Sequence, residues 1–479
     1  MKHVSSAVLF LAALCAAPLA QAQACTTGGG ATVCLSARGS NNDVTLNWTA
    51  TGSPISKVQI YRDVDSNPSG RSRIAQLSNG GGSYVDTSAA VGTHYWYWVK
   101  YNVGNTIYNS PAADATRVIV ASQGGGGTPA TAGTMRAMTS LQLSAEMAPG
   151  WNLGNSLEAI GGETNWGNAP ATQAMLNAVK AAGFNSVRIP MSWKQYADSS
   201  DNIRADWMAR VTEVVNYARN AGLYVVINIH WDGGWMQPNN ATQAMANARI
   251  TKFWTQIANN FRNYDDHLLF AALNEVMVDG DYSQPTPEYY TVQNGFNQTF
   301  VNAVRATGGN NASRHLVVQS YNTNIDWANQ FFTVPSDSAA NRLMLEVHFY
   351  DPYDFTINTG NDNIWQWGSI ATSPANTETW ANESYVNAQF DKLKQRFITG
   401  LGMPVLMGEY ASVARLSVDA SQRYRTYWDQ YVTSAARQRG LVPMYWDDGY
   451  SGNHVMGLFN RSNGAQYYPS LTSTIINAR

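Results

Sequence analysis

The chain has 479 residues, 33 acidic against 31 basic side chains, and a formal net charge of -2. So close a balance excludes the electrostatic footprint of a nucleic-acid or anionic-membrane partner, and the length exceeds one ordinary domain, so two are expected. With 16 Trp and 25 Tyr, the composition suits a neutral, hydroxyl-rich ligand held by aromatic faces and side-chain hydrogen bonds.

The N-terminus reads as a targeting segment. Lys2 and His3 precede an apolar run from Ala7 to Leu19, and Ala22-Gln23-Ala24 has the small-x-small cleavage pattern, which makes residues 1–24 a signal peptide. The run is too short to span a bilayer comfortably, and no later stretch reaches about 18 apolar residues. The mature chain is therefore expected to begin at Cys25 and to be secreted, into the periplasm or beyond it. Acylation of Cys25 is the alternative, although Ala22 stands where a lipoprotein usually has Leu. Cys15 departs with the signal, which strands Cys25 and Cys34 as a pair, and export makes a disulfide between them the expectation. Its short loop would pin one edge of a domain and do little more. The cysteines are too few for a Cys-based metal site.

Residues 25–120 read as a small all-β domain. Val44-Thr45-Leu46-Asn47-Trp48 and Val58-Gln59-Ile60-Tyr61 alternate with period two. Turn-rich stretches such as Asp65-Ser66-Asn67-Pro68-Ser69-Gly70 separate the strands. His94 to Tyr101 is the strongest strand, with Tyr95, Tyr97, Val99 and Tyr101 on one face and Trp96 and Trp98 on the other. The early Trp and late Tyr-x-Tyr-x-Val resemble a fibronectin type III or related immunoglobulin-like sandwich. Trp96 and Trp98 are either exposed sugar platforms or packing residues, and packing is favoured. Residues 121–134, with Gly124-Gly125-Gly126-Gly127 ahead of Pro129, form a linker.

From 135 to 479 short apolar runs recur between helical patterns. The predicted strands are Gly150 to Leu153, Ser186 to Ile189, Tyr224 to Ile229, Leu268 to Leu273, Leu316 to Val318, Leu343 to Val347, Val405 to Gly408 and Leu441 to Tyr445. Continuous apolar runs suit parallel strands buried on both faces. Between them, Thr172 to Ala182 gathers Met175, Leu176 and Val179 on one helical face, and Met208 to Ala221 gathers Val211, Val214, Val215 and Ala218. Eight strands alternating with helices predict an α/β fold, a (β/α)8 TIM barrel, behind the all-β sandwich. A doubly wound sheet would instead place a Gly-rich phosphate turn after its first strand, and Gly150-Trp151-Asn152-Leu153-Gly154-Asn155 is not one.

Catalytic groups of such barrels sit at the C-terminal strand ends. Here the second strand holds Arg188, and the others end at His230-Trp231, Asn274-Glu275, His348-Phe349-Tyr350, Glu409-Tyr410 and Trp446-Asp447-Asp448. Core packing alone does not explain so many polar and aromatic groups at one topological level. Gly150 to Glu158, Gly183-Phe184-Asn185-Ser186-Val187-Arg188-Ile189-Pro190, Asn228-Ile229-His230-Trp231, Leu273-Asn274-Glu275 and Gly408-Glu409-Tyr410, in that order, resemble glycoside hydrolase family 5, in the flavour of its endoglucanase and xyloglucanase branch. The resemblance covers about Met135 to Arg479.

The resemblance implies a retaining double displacement with Glu275 as acid/base and Glu409 as nucleophile. It implies that Arg188 and Tyr350 keep Glu409 charged and that Asn274 donates to the sugar 2-hydroxyl. By the same resemblance His230 and His348 line the cleaved sugar's site and Trp446 floors it; Asn155 is a further candidate contact, and Trp231 is either an outer sugar subsite or packing. An ionised Glu409 is expected to raise Glu275 so that it carries a proton at rest. Trp235 is either a further subsite or packing. The chain departs from the family pattern where Val276 follows the acid/base in place of Pro, where Ala271 and Ala272 stand in place of a Glu, where Trp231 replaces a second His, and where Asp448 replaces Asn. No His-Glu-x-x-His or Gly-x-Ser-x-Gly motif occurs, and the two-carboxylate chemistry needs neither metal nor organic cofactor. The expectation is a secreted monomer that cuts β-1,4-glucosidic bonds in a β-glucan polysaccharide (cellulose, mixed-linkage glucan or xyloglucan), with neither nucleic acid nor membrane as partner. The rivals are a mannanase or xylanase on the same barrel and a non-catalytic carbohydrate-binding protein.

Overall fold

The computed structural model describes residues 24–39, 43–77, 82–90, 93–117, 133–418 and 420–479. The expected signal peptide up to residue 23, and the stretch 118–132 that holds most of the expected linker, lie outside the described residues. The chain divides into two compact units, Met1–Gly124 and Gly125–Arg479.

The first unit is all-β. Its strands are β1 (Ala24–Gly28), β2 (Ala31–Gly39), β3 (Val44–Gly52), β4 (Ser56–Asp63), β5 (Ser72–Gln76), β6 (Ser83–Asp86), β7 (His94–Val103), β8 (Thr106–Asn109) and β9 (Ala113–Thr116). One sheet runs β1-β2-β3-β6 and the other β5-β4-β7-β8, with β9 also pairing β7. Period-two alternation in β2, β3 and β4 turns Val33, Leu35, Leu46, Val58 and Ile60 into one core with Tyr97, Val99 and Tyr101 of β7. Cys25 and Cys34 stand opposite each other on β1 and β2 and are disulfide-bonded. Trp98 is 4 % exposed, with the Arg71 guanidinium over its ring, and so offers no open platform. Trp96 is half-buried with its ring edge-on to His94.

The second unit is a closed parallel barrel of eight strands: β10 (Gly150–Leu153), β11 (Ser186–Ile189), β12 (Tyr224–Asn228), β13 (Leu268–Ala271), β14 (Leu316–Gln319), β15 (Leu343–His348), β16 (Val405–Tyr410) and β17 (Val442–Asp447). Every predicted strand is present. The intervening helices obey local rules. The Thr172 hydroxyl caps Gln173–Ala182 by accepting from the Met175 N–H, and Gly183, at φ 114°, ends that helix in a conformation an L side chain resists. Met175, Leu176 and Val179 are its buried face, as the spacing predicts.

Alternation along each barrel strand separates two apolar layers. Val187, Ile227, Phe270, Leu345 and Met407 pack outward against the helices. Val226, Leu269, Val317, Met344, Leu406 and Met444 fill the lower barrel, which Leu143 and Met147 of the helix Ser140–Met147 plug from below. Above that layer the inward positions turn polar, with Asn152, Arg188, Asn228, Gln319 and Glu346 all fully buried. This apolar-to-polar change along the barrel axis creates a site at the C-terminal mouth.

Asp447 closes the ring. Its Oδ2 accepts from the indole of Trp151 on the neighbouring β10 at 2.9 Å and from the backbone N–H groups of Leu458 and Phe459 at 3.0 Å each. Its Oδ1 accepts from the Gly449 N–H and lies 3.2 Å from Arg461. Removing the carboxylate strands several buried donors and a buried guanidinium. Asp447→Ala should therefore lower stability by about 3–5 kcal/mol, read from urea unfolding followed by tryptophan fluorescence.

Candidate active site

Arg188 on β11 organises the barrel mouth. It is wholly buried, and its fork reaches three ways. Nη1 donates to Glu409 Oε1 at 2.8 Å and to Asn152 Oδ1 at 3.1 Å, and Nη2 donates to Asn274 Oδ1 at 2.6 Å. Nε lies 2.8 Å from Glu346 Oε1 in an ion pair. Asn152 is itself held by its amide donating to the carbonyls of Gly408 and Met444, so the guanidinium plane has little freedom. The Asn274 oxygen accepts from Arg188, and its Nδ2 has no acceptor among the described residues, which leaves a donor for a ligand.

Glu409 is on β16 at an irregularity where the register with both neighbouring strands shifts. Besides Arg188 it accepts from the Tyr350 hydroxyl at 3.0 Å. Glu275, four residues past β13, sits 2.6 Å from His348 Nδ1 through its Oε1. His348 Nδ1 is also 3.7 Å from Glu409 Oε2. One oxygen of Glu275, one of Glu409 and a ring nitrogen of His348 all lie within 4.8 Å of one another. Two carboxylates 134 residues apart in the sequence, one on β16 and one beyond β13, thus face each other across the cleft. The same three atoms have a metal-like spacing, but His348 Nδ1 and Glu275 Oε1 are already engaged with each other, and both oxygens of Glu409 accept from protein donors.

Three carboxylates, Glu275, Glu346 and Glu409, crowd round two cations. Burial alone would push the His348 imidazole down, but the charge of Glu409 and the bonds to Glu275 and Glu346 lift it to about 9. At neutral pH it is an imidazolium with an N–H on each nitrogen. Burial also lifts Glu275, yet the bond from His348, then the charges of His348 and Arg188, hold it below the usual carboxylate range. This corrects the expectation that Glu409 raises Glu275 at rest, because the nearest neighbour of Glu275 is a cationic donor and not a like charge. Glu409 moves the opposite way, since burial lifts it above its ordinary range against the pull of His348 and Arg188. Burial, then the charges of Glu409 and Glu275, keep the Tyr350 phenol far above its usual value, so it remains a donor. Burial and the charges of Arg188 and His348 hold His230 well below its usual value. That imidazole is neutral, and because the Asn228 amide nitrogen lies 3.3 Å from its Nδ1, its proton is on Nε2.

The cleft runs to both sides of Glu275. One arm, of about 410 Å³, is lined by His230, Trp231, Asn274, Gln237, Asn322 and Tyr282 among others. The other, of about 460 Å³, is lined by His348, Tyr350, Tyr353, Tyr385 and Gln389 and shares Glu275, Tyr282 and Asn322 with the first. Trp446 stacks on His230 with ring centres 5.9 Å apart and planes 13° from parallel. Trp231 is 53 % exposed, an open aromatic face on the first arm. Trp235 instead is packed, with its indole donating to Asp232 and Arg249 over its ring. Asn155 lines neither arm; it takes a left-handed turn at φ 54°, its N–H donates to Glu158 and its carbonyl accepts from Asn168.

Glu346, Asn152, Tyr282 and Asn322 were not candidates from sequence. Glu346 had a signal: a carboxylate inside the apolar run Leu343 to Val347, two residues before His348 and hence on its face of the strand. Tyr282 and Asn322 belong to loops, where no periodicity exists to assign a direction.

The model of the family Cellulase (glycosyl hydrolase family 5) matches residues 152–452. Endoglucanase A of Paenibacillus barcinonensis is 42 % identical over 375 residues, covering 74 % of this chain and 93 % of that protein. A xyloglucan-specific endo-beta-1,4-glucanase of Bacteroides ovatus is 41 % identical over 394 residues, covering 78 % of this chain and 75 % of that protein. Among solved structures, the Bacteroides ovatus xyloglucanase in complex with a XXXG heptasaccharide superposes with a TM-score of 0.69 at 33 % identity, covering 93 % of this chain and 99 % of that one. A family 5 xyloglucanase from Paenibacillus pabuli does so with a TM-score of 0.67 at 42 % identity, over 70 % of this chain and 98 % of that one.

The raised His348 links protonation to folding. A group whose folded value lies at about 9 and whose unfolded value is about 6.5 contributes stability that is complete below pH 6.5 and is lost as pH rises through 9, on the order of 3 kcal/mol. Urea unfolding across that range should show the fall in the wild type, and His348→Asn should flatten it.

Proposed function

The chain belongs to glycosyl hydrolase family 5 and is a glycoside hydrolase, and from that membership we propose that it is a retaining endo-β-1,4-glucanase acting on the β-glucan backbone of cellulose, mixed-linkage glucan or xyloglucan. The observation that carries the mechanism is the approach of a Glu275 and a Glu409 oxygen to within 4.8 Å. Retaining enzymes hold their carboxyl groups about 5–5.5 Å apart, whereas inverting ones leave about 6.5–9.5 Å for a water.

In this reading Glu409 attacks C1 while Glu275 protonates the departing oxygen. The proton is the one between His348 Nδ1 and Glu275 Oε1. The Glu275 side chain is 42 % exposed; a sugar seated over it removes water, disfavours its charge and draws that proton across the 2.6 Å contact. The C1–O bond breaks, the aglycone leaves as an alcohol, and a glycosyl ester forms on Glu409. Water then attacks C1, Glu275 takes its proton, Glu409 leaves as carboxylate, and the proton returns to the His348–Glu275 pair. Arg188 and Tyr350 hold the charge on Glu409 in the free and departing states. The free Asn274 amide nitrogen suits the 2-hydroxyl, a contact that strengthens as the ring flattens. Trp446 stacked on His230 supplies an apolar floor, and Trp231 a platform further along the cleft.

The ring of Arg188, Glu275 and Glu409, all with bonded partners, supports catalysis over mere carbohydrate binding. The activities for which the relatives are named, one an endoglucanase and one xyloglucan-specific, support a glucan backbone over mannan or xylan. The order β1-β2-β3-β6 facing β5-β4-β7-β8 supports an immunoglobulin-like or fibronectin type III reading of residues 25–120, joined by the linker 121–134 to a catalytic domain at 135–479. The Cys25–Cys34 disulfide supports export behind the signal peptide 1–24.

Glu409→Ala should lose turnover by at least three orders of magnitude, about 4 kcal/mol of transition-state stabilisation, while still binding glucan. Azide should partly restore it and yield a glycosyl azide of inverted anomeric configuration; unchanged hydrolysis would remove Glu409 as nucleophile. On a panel of soluble polysaccharides read by reducing ends, barley-type mixed-linkage glucan, carboxymethylcellulose or xyloglucan should be cut, and mannan cut alone would refute the glucan assignment.

A further inference from the structure

Glu346 is a buried carboxylate of the barrel mouth that no step above employs. It lies on β15 and is 0 % exposed, a placement that costs several kcal/mol unless the charge is paired. Its partners are specific. Oε2 accepts from the Gln319 amide on β14 at 2.6 Å. Oε1 lies 2.8 Å from Arg188 Nε and 3.3 Å from His348 Nε2. One oxygen therefore touches both the guanidinium that holds Glu409 and the imidazole that holds Glu275.

The chain makes room for this oxygen. A Cβ on Gly408 would stand 2.1 Å from Glu346 Oε1, so the glycine immediately before Glu409 is what lets the carboxylate lie beneath it. Residues 346 and 348 share a strand face by the period of two, which puts the carboxylate directly under the imidazole. An imidazole has two ring nitrogens, and fixing one decides what the other presents. A neutral ring with Nε2–H turned to Glu346 would leave Nδ1 bare; with a carboxylate oxygen at each nitrogen, the imidazolium donates both ways, Nε2–H to Glu346 and Nδ1–H to Glu275.

We propose that Glu346 is a positioning residue that holds His348 through Nε2 and thereby keeps a proton on the His348–Glu275 contact for delivery to the leaving oxygen. The inference rests on the acid/base reading of Glu275. The charged and titratable groups that face His348 are Glu275, Glu346 and Glu409, with Arg188 and Tyr350 beyond Glu409 and the neutral His230 within reach of its charge. Of the three carboxylates, Glu346 is the one with no exposure to the cleft, so its charge is constant through the cycle. Glu275 and Glu409 each lose theirs in turn. A fixed anion under His348 means the pair keeps its proton while the other two carboxylates change.

The test is Glu346→Gln, which preserves shape and removes the charge, alongside Glu346→Asp, which keeps the charge. For Gln, kcat on polysaccharide should fall roughly tenfold to a hundredfold with KM nearly constant, and the alkaline limb of the kcat/KM profile should move about one pH unit to the acid side. Asp should return the limb toward the wild-type position. Imidazole 15N spectra of the full chain, assigned with His348→Asn, should show wild-type His348 protonated on both nitrogens at pH 7 and the Gln variant losing that proton at lower pH. A Gln variant with the wild-type limb and an unmoved His348 titration would overturn the proposal. So would a wild-type His348 that is neutral at pH 7, a result that needs no variant to fold. A His348 titration that moves while the activity limb does not would leave Glu346 in its place and overturn the acid/base reading of Glu275 instead.

Discussion

The barrel mouth confines three carboxylates against two cations, and the rest of the site follows from that imbalance. Arg188 and His348 are buried and cannot be neutralised by water. Glu346 and Glu409 are equally enclosed, whereas Glu275 reaches the cleft. The second of those cations exists only because the crowded carboxylates hold a proton on His348, and the contact that carries it to the cleft is His348 Nδ1 to Glu275 Oε1 at 2.6 Å. The same crowding keeps Tyr350 a phenol and His230 a neutral imidazole, so the cleft presents donors of known direction to an uncharged ligand.

The scaffold makes this arrangement affordable by sorting it vertically. Lower inward positions of the barrel are apolar and close-packed round Val226, Leu269, Val317 and Leu406. Polar residues begin one layer higher, where each can find a partner on the adjoining strand: Asn152 with Arg188, Gln319 with Glu346, Asp447 with Trp151. Strands tied by such hydrogen bonds fix the direction of each side chain at the mouth, which orientation-dependent chemistry demands. Trp231 and Tyr282, on loops, and Tyr353, the first residue of the short helix Tyr353–Thr356, are exposed.

Much of the fold was legible in the sequence because buried parallel strands are unbroken apolar runs that end abruptly in polar residues. Leu343 to Val347 followed by His348, and Val405 to Gly408 followed by Glu409, mark both a strand and its functional end. The residues brought together at the mouth, Arg188, Asn274, Glu275, His348, Tyr350 and Glu409, came from that level. What sequence hid was of two kinds. Charge coupling depends on which nitrogen faces which oxygen, so the depressed Glu275 was not foreseeable from Glu409 alone. Glu346 was masked by its own strand, where an apolar run invites reading every member as core. Asn155, placed in a motif, takes a left-handed turn whose backbone bonds to Glu158 and Asn168 no periodicity announces. In the first unit β1 and β2 went unremarked, since Ala31 to Gly39 mixes small and polar residues around a cysteine and its alternation is visible mainly as burial.

The central claim is that Glu275 and Glu409 act from opposite sides of one glycosidic bond at a separation too small for an inverting water. It is tested most directly by 1H NMR of the anomeric protons during the first minutes of hydrolysis of a soluble β-1,4-glucan oligosaccharide. The account predicts that the new reducing end appears first as the β anomer and gains α signal only by mutarotation. Initial appearance of the α anomer would contradict it.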